Sequence, residues 1–144
     1  MKFRKARKKD IPQMFEILKI NSPKYPKKLA LKELKEMFSD SLSKPKYIVL
    51  EDKKEILCFG GFTPSWIDEM VVSMFWVNTK QEHKGKGIGI KLIKELIRKI
   101  KTLNKPKPKM IILSTKIPLF FKKFGFKTIQ KKYDRDYDLM ALKV

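Results

Sequence analysis

The 144-residue sequence has very few of the residues that build metal sites or disulfides. It contains one cysteine, Cys58, and one histidine, His83. No internal disulfide is possible, and a structural zinc site is excluded because such a site takes Cys and His ligands in greater number. Cys58 lies in an apolar run, where a buried and inert thiol is the usual state. We therefore expect no metal.

Long apolar runs are also absent. The N-terminus, Met1 to Arg4, alternates charged and apolar residues, and no run reaches the ~18 apolar residues of a membrane-spanning helix. No internal repeat with a period of about 20–50 residues is visible. We expect a cytoplasmic protein with no membrane partner. The length fits one domain, residues 1–144.

Acidic residues are scarce relative to basic ones. The chain has 15 Asp and Glu against 35 Lys and Arg, a formal net charge of +20. Such an excess attracts nucleic acid, acidic protein surfaces or anionic cofactors. The lysines are spread over every segment, however, so a solvated surface explains them equally well. A basic nucleic-acid-binding protein, with aromatic residues stacking on bases, stays open as an alternative that is not favoured.

One stretch, Lys84-Gly85-Lys86-Gly87-Ile88-Gly89, organises the chain. The β-branched and aromatic run before it, Val71 to Val77, predicts a strand. Apolar residues from Ile88 to Leu103 recur at spacings of three and four and predict an amphipathic helix. Strand, glycines and helix start together place unpaired N–H groups and the positive end of the helix dipole at one point. The pattern predicts an anion site, to which Lys84 and Lys86 add charge.

The glycine spacing differs from two common phosphate-binding patterns. A P-loop would need Gly-Lys-Ser/Thr four residues after a first Gly, and a Rossmann fingerprint would need Gly or Ala where Ile90 stands. Glycines that mark a plain strand-to-helix turn are the alternative for the loop taken alone.

Two motifs resemble those of one family. The run Phe75 to Gly89 resembles, without a gap, the acetyl-coenzyme A motif of the GNAT superfamily of N-acetyltransferases, in which a strand enters an (Arg/Gln)-x-x-Gly-x-(Gly/Ala) loop. Downstream, Pro118 to Phe126 is similar to the family's Phe-Tyr-x-x-x-Gly-Phe stretch. Their order and separation also fit. The resemblance implies an acyltransferase, an acetyl-CoA-dependent N-acetyltransferase that uses no metal.

The rest of the chain alternates strand and helix patterns, as an α/β domain does. We expect a single-domain GNAT-like fold with a central mixed, mostly antiparallel sheet of about seven strands, a splayed parallel pair and about four helices. Strands are predicted at 1–6, 47–51, 56–62, 71–77, 110–114, 126–132 and 137–144. Asp10 with Gln13 predicts a capping box at the first helix, and Gly60-Gly61 predicts a bulge or a close approach.

The resemblance also implies where the cofactor binds. The pantetheine arm enters the gap between the strands that end near Thr79 and Ser114, and the loop amides hold the pyrophosphate. Lys84 stands where the family has Gln or Arg, and keeps a positive charge without the planar fork of Arg. The residues implied in cofactor binding are Val77, Asn78, Thr79, Lys84, Gly85, Lys86, Gly87, Ile88, Gly89, Ile90, Ser114 and Phe121.

The residues at the family's usual catalytic positions differ in this sequence. The frequent glutamate on the organising strand corresponds to Ser73, and the frequent tyrosine of the second motif corresponds to Phe121. Glu69 is a substitute candidate for the base, and Tyr133 and Tyr137 are candidates for the acid that protonates the leaving thiolate. Other carboxylates expected near the cleft are Asp68, Asp134, Asp136 and Asp138. His83 is a further candidate base, at a position where the family usually has an aromatic residue.

The predicted reaction moves an acetyl group from acetyl-CoA to a primary amine of a small molecule, protein or peptide. An α-amino group, with a pKa of about 7.7–8.0, needs far less help from a base than a lysine-like amine of about 10.4. Direct attack in a ternary complex then suffices. The alternative from another class is a coenzyme A-binding module without catalysis. The expected state is a monomer or a homodimer.

Overall fold

The computed structural model describes residues 1–40, 42 and 44–144, and its core is one mixed sheet. Its strands are β1 (Lys2–Lys5), β2 (Lys46–Asp52), β3 (Glu55–Pro64), β4 (Val71–Thr79), β5 (Met110–Thr115), β6 (Lys127–Asp134) and β7 (Tyr137–Lys143). The α-helices of the described residues are α1 (Ile11–Asn21), α2 (Lys27–Lys35), α3 (Ile88–Lys101) and α4 (Pro118–Lys122). The strand order is β1-β2-β3-β4-β5-β7-β6, which confirms the predicted fold class.

The helices cover both faces of the sheet because the strand side chains alternate between two cores. Along β2, Ile48 and Leu50 pack with the buried face of α3, whereas Tyr47 and Val49 pack with α1 and α2. This alternation is the period of two that an extended backbone imposes. The sheet is therefore apolar on both sides at its centre, and functional groups lie where its strands end or separate.

Helix α3 packs against β3 and β4 in the way its spacing predicts. Its inward side chains are buried, and they are Ile88, Leu92, Ile93, Leu96 and Ile100. A Cβ at Gly60 would lie 2.7 Å from Leu96 Cδ1, so a glycine is needed where the helix crosses β3. Burying a leucine of this kind contributes about 1.5–3 kcal/mol. This packing fixes the start of α3 beside the end of β4.

The parallel pair β4–β5 is hydrogen-bonded only at its beginning. Val71, Val72 and Ser73 of β4 pair with residues 110–112 of β5, and beyond Ser73 the two strands separate. A bulge in β4 accompanies the separation. Two residues, Trp76 and Val77, lie opposite the single residue Gly60, and Trp76 has a φ of +49°. Because a bulge bends its strand and increases its twist, β4 turns away from β5 and a wedge opens between them.

The start of α1 differs from its prediction. Asp10 makes no side-chain capping bond to α1. Its carboxylate instead accepts hydrogen bonds from Arg4 Nη1 at 2.7 Å and from the Arg7 amide at 2.7 Å. Gln13 bonds the backbone of β3 through Ile56. The predicted capping box is wrong because a buried arginine satisfies Asp10 better than an exposed helix end would.

One strand end also differs from its prediction. Strand β6 continues to Asp134, so the predicted four-residue turn shortens to two residues between β6 and β7. Helix α4 ends at Lys122, and Gly125 follows with a φ of +95°, a backbone conformation suited to glycine. Within residues 1–40, 42 and 44–144, no helix has both the length and the apolar character needed to cross a membrane.

Candidate active site

The wedge between β4 and β5 forms a cleft of about 770 Å³. One wall is the second half of β4, from Met74 to Thr79, and the other is the end of β5 with the segment that follows it, from Leu113 to Ile117. The loop before α3 closes one end. The cleft thus lies where two parallel strands part, at their carboxyl ends, which is where open α/β sheets bind ligands.

The loop end of the cleft is built for an anion. Gly85 and Gly87 have φ values of +79° and +77°, which glycine adopts without strain. The first hydrogen bond of α3 runs from the Lys91 amide to the Gly87 carbonyl. The amides of residues 88–90 precede it, and no part of the described chain accepts a hydrogen bond from them. They lie at the positive end of the helix dipole and are available to a phosphate.

The β4 wall presents polar backbone groups and one buried side-chain amide. Asn78 is 9% exposed, and its Oδ1 accepts a hydrogen bond from Asn21 Nδ2 at 3.0 Å. The same Nδ2 donates to the Thr79 carbonyl at 2.9 Å, so that carbonyl is already engaged. Asn21 Oδ1 is buried without a partner in the described chain. A buried acceptor of this kind calls for a donor from a ligand, such as an amide N–H.

The opposite wall comes from β5, α4 and β7. Ser114 is exposed to the cleft, Phe121 is buried behind it, and Tyr137 lines it half-buried. Phe120 stacks edge-on against Phe121 with ring centroids 5.1 Å apart. Lys116 Nζ lies 5.2 Å from the Tyr137 ring. This wall is apolar near the sheet and basic at its rim.

Most of the residues implied in cofactor binding meet in this cleft. Those that line it are Val77, Asn78, Thr79, Lys84, Gly85, Gly87, Gly89, Ile90, Ser114 and Phe121. Lys86 points to solvent, and Ile88 is buried in the core and contributes only its backbone. Asn21 and Ser22 also line the cleft, although no motif marks them. They arrive from the end of α1, and only the folded chain brings that turn beside β4.

The candidate catalytic residues are scattered. Tyr137 lines the cleft, whereas Tyr133 is 53% exposed on β6 and Glu69 is exposed in the loop before β4. Ser73 pairs with Thr63 on β3 and lies at the last rung before the wedge opens. The four side chains do not form one cluster. Among the described residues that line the cleft, none is Asp or Glu.

His83 lines the cleft beside the loop but is already paired. Its Nε2 lies 3.0 Å from Glu55 Oε1, and Lys80 Nζ lies 3.3 Å from Glu55 Oε2. Hydrogen bonds from His83 and Lys80 lower the pKa of Glu55. The imidazole is therefore held by Glu55, the first residue of β3. In the described parts of the chain, no three His, Cys, Asp or Glu side chains are grouped to hold a metal ion.

A second cavity, of about 490 Å³, adjoins the bulge in β4. Phe75 and Trp76 line both this cavity and the cleft, so the two are neighbours across the bulge. Two carboxylates, Glu33 and Glu36, and further aromatic rings complete its lining. No motif in the sequence marks either glutamate. Glu33 lies on α2 and Glu36 directly follows that helix, and only the folded chain shows that both line the cavity.

Comparison with known proteins agrees with this geometry. Residues 43–128 match the sequence profile of the acetyltransferase (GNAT) domain, which is more than half of the chain. No curated protein matches the sequence.

Solved structures share the fold at low sequence identity. A GNAT-family protein from Desulfovibrio desulfuricans superposes with a TM-score of 0.82 at 13% identity, over 99% of this chain and 98% of that one. An aminoglycoside 6'-N-acetyltransferase complexed with coenzyme A gives 0.81 at 14%, over 99% and 97%. A ribosomal-protein-alanine N-acetyltransferase from Brucella melitensis gives 0.75 at 16%, over 100% of both chains.

Proposed function

The chain belongs to the GNAT family of acetyltransferases, and we propose that it transfers an acetyl group from acetyl-CoA to a primary amine while both are bound. The observation that carries the proposal is the wedge between β4 and β5, which leads from the free amides of residues 88–90 to the bulge at Trp76. A coenzyme A complex exists for a structure of the same fold, and this supports the choice of cofactor.

The residues of the cleft fit this cofactor. The loop amides and Lys84 would hold the pyrophosphate, since several amides and a cation at a helix start favour an anion. The orphaned Asn21 Oδ1 and the backbone of Val77 and Asn78 would meet the amides of the pantetheine arm. The bound cofactor supplies an acetyl group activated as a thioester.

The bulge in β4 provides the polar group for the acyl end. Where two residues oppose one, the peptide units of Trp76 and Val77 leave the regular ladder with β3. An amide N–H freed in this way is suited to hydrogen-bond a carbonyl oxygen on which negative charge develops. A backbone donor of this kind is fixed by the fold and needs no side chain.

No carboxylate of the described residues lines the cleft to help remove a proton from the amine. The neutral amine must therefore come from the acceptor's own equilibrium or through solvent, and proximity in the ternary complex contributes the rest of the rate enhancement. We expect the rate to rise with pH toward the pKa of the acceptor amine. Tyr137, which lines the cleft, is the candidate that returns a proton to the leaving sulfur.

Calorimetry with acetyl-CoA followed by a thiol-release assay over a panel of amines tests the proposal. Cys58 is fully buried, and burial raises the pKa of its thiol to about 12, so a thiol-reactive dye reports only the coenzyme A set free. We expect binding and amine-dependent release. Absence of acetyl-CoA binding to the folded protein would overturn the proposal.

A coenzyme A-binding module without catalysis is the second candidate. Among the described residues, no carboxylate lines the cleft, and Phe121 replaces a residue that would donate a proton, which favours this candidate. Binding of acetyl-CoA without thiol release for any amine in the panel would support it. Amine-dependent release would exclude it.

A further inference from the structure

The cavity beyond the bulge differs in chemistry from the rest of this strongly basic protein. It is bounded by α2, β2, β3 and β4 and holds the carboxylates of Glu33 and Glu36. Among the described residues, no Lys, Arg or His lies within 4.0 Å of either carboxylate, although the chain has 35 Lys and Arg. Within the described part of the chain, these two half-buried carboxylates thus have no ion-pair partner, although the net charge is +20.

Glu33 is held in place by neutral donors. The Tyr25 hydroxyl donates to Oε1 at 2.7 Å, and Trp76 Nε1 donates to Oε2 at 2.8 Å. Each carboxylate oxygen keeps a further lone pair. Burial, together with the neighbouring Glu33, raises the pKa of Tyr25 to about 12, so the phenol stays a donor at neutral pH. Glu33 is therefore a fixed anion with unused acceptor capacity.

The rest of the cavity lining is mostly aromatic, together with Pro45 and Thr63. The rings of Tyr25 and Trp76 meet edge to face with centroids 4.8 Å apart, and those of Tyr47 and Phe75 do so at 5.8 Å. Aromatic faces around a carboxylate attract an ammonium through their quadrupoles and offer nothing to an anion. The cavity is thus complementary to an organic cation with a short apolar stem.

An amine held on Glu33 cannot be the amine that is acetylated. A carboxylate stabilises the ammonium form, whereas the nucleophile must be neutral. The reacting amine belongs at the bulge, where the backbone of Trp76 meets the cleft, and the held cation lies past the Trp76 side chain. The two positions are neighbours, since Phe75 and Trp76 line both spaces.

We propose that the acceptor is a small diamine or polyamine, with one amine at the β4 bulge and a second, charged amine in the Glu33 cavity. This inference rests on the proposed function and adds the class of acceptor to it. Glu33 acts as the residue that selects the acceptor, Glu36 adds negative charge, and neither transfers a proton.

Calorimetry on the protein saturated with coenzyme A tests the inference with 1,4-diaminobutane and butylamine, which differ only in the second amine. We expect the diamine to bind at least about tenfold more tightly. Glu33→Gln should weaken the diamine about 10- to 100-fold, the usual effect of losing a hydrogen bond to a charged group, and should leave butylamine unchanged. Glu16→Gln, an exposed carboxylate on α1 outside both cavities, is the matched control and should change neither.

Equal affinity for the two amines, or an equal loss of both in Glu33→Gln, overturns the inference. If Glu33→Gln does not fold, Glu36→Gln decides the matter, since Glu36 bonds neither Tyr25 nor Trp76. A loss confined to the diamine supports the inference, and no change overturns it. A basic peptide acetylated faster than every diamine also overturns it.

The two proposals fail in different ways. Acetyl-CoA binding is measured in the same instrument, and its absence removes the proposed function whatever the diamine result. Acetylation of several amines with no preference for diamines removes only the acceptor class.

Discussion

Replacing Gly87 by alanine tests the anion loop where its backbone is most constrained. Gly87 has a φ of +77°, and a Cβ there would meet no atom of the described residues within 4 Å. The cost is therefore conformational and not steric, about 1–2 kcal/mol for a non-glycine residue in the left-handed region. The variant either keeps the loop geometry and loses that much folding stability, or relaxes the loop and loses affinity for acetyl-CoA.

The conformational cost of Gly87→Ala is shared between the free energy of unfolding and the free energy of acetyl-CoA binding. If the loop relaxes fully in the free protein, binding must restore it, and 1–2 kcal/mol corresponds to a loss of about 5- to 30-fold in affinity. If it does not relax, the affinity stays and the free energy of unfolding falls by the same amount. Denaturant unfolding and calorimetry on one preparation give both terms, whose sum we expect to be about 1–2 kcal/mol.

Gly89→Ala is the matched control. Gly89 has no positive φ, and a Cβ there would lie 3.7 Å from Thr79 Oγ1 and 3.8 Å from Phe120 Cζ, ordinary contact distances. Alanine also favours a helix over glycine, and the loop motif that the chain resembles accepts either residue at this position. Stability and affinity should be retained. A Gly87→Ala variant with both quantities unchanged, or a Gly89→Ala variant that loses more, would refute the reasoning.

The remaining predictions concern the scaffold. Burial alone would raise the pKa of Asp10, but hydrogen bonds from Arg4 and Arg7 outweigh it and lower the pKa. The stabilisation is then present above about pH 3.9 and is lost at lower pH, and the Asp10→Asn variant should not show this loss in an acid titration. Arg4→Met should lower the free energy of unfolding in denaturant by about 3–5 kcal/mol, because the buried Asp10 carboxylate loses its charged partner. Cys58 should react with a thiol reagent only after unfolding, and fast labelling of the native protein would contradict its burial. Gly61→Ala should destabilise by about 1–3 kcal/mol, because its Cβ would lie 2.7 Å and 2.8 Å from two aromatic rings, and an unchanged unfolding midpoint would contradict that packing.

Local patterns predict the elements well because each signal is contained in one segment. The apolar spacing of α3, the β-branched run of β4 and the glycines between them need no distant partner, and all three appear where they are expected. The prediction of a capping box at Asp10 is wrong because its partner lies outside the local pattern. Its neighbours in sequence predict a cap, but the fold brings Arg4 within 2.7 Å and a stronger partner replaces the local one.

The residues of the candidate site also fall into those that a local motif predicts and those that only the fold brings together. The loop and β4 wall follow from contiguous motifs, whereas Asn21, Glu33 and Glu36 depend on α1 and α2 packing across β4. Glu33 contacts Trp76, which lies 43 positions away in sequence. No pattern within α2 distinguishes a carboxylate that faces a cavity from one that faces water, so this part of the site is visible only in three dimensions.

Trp76 connects the two halves of the site through its backbone and its side chain. A β-strand that simply continued would keep β4 paired with β5 and would close the cleft. The positive φ at Trp76 instead bends β4 away and turns the indole toward Glu33, where its Nε1–H finds a charged acceptor. A left-handed conformation is costly for a bulky residue, and the hydrogen bond to Glu33 together with the packing against Tyr25 offsets part of that cost. The bulge that accompanies the opening of the wedge is therefore stabilised by contacts with Glu33 and Tyr25, which line the cavity proposed for the acceptor.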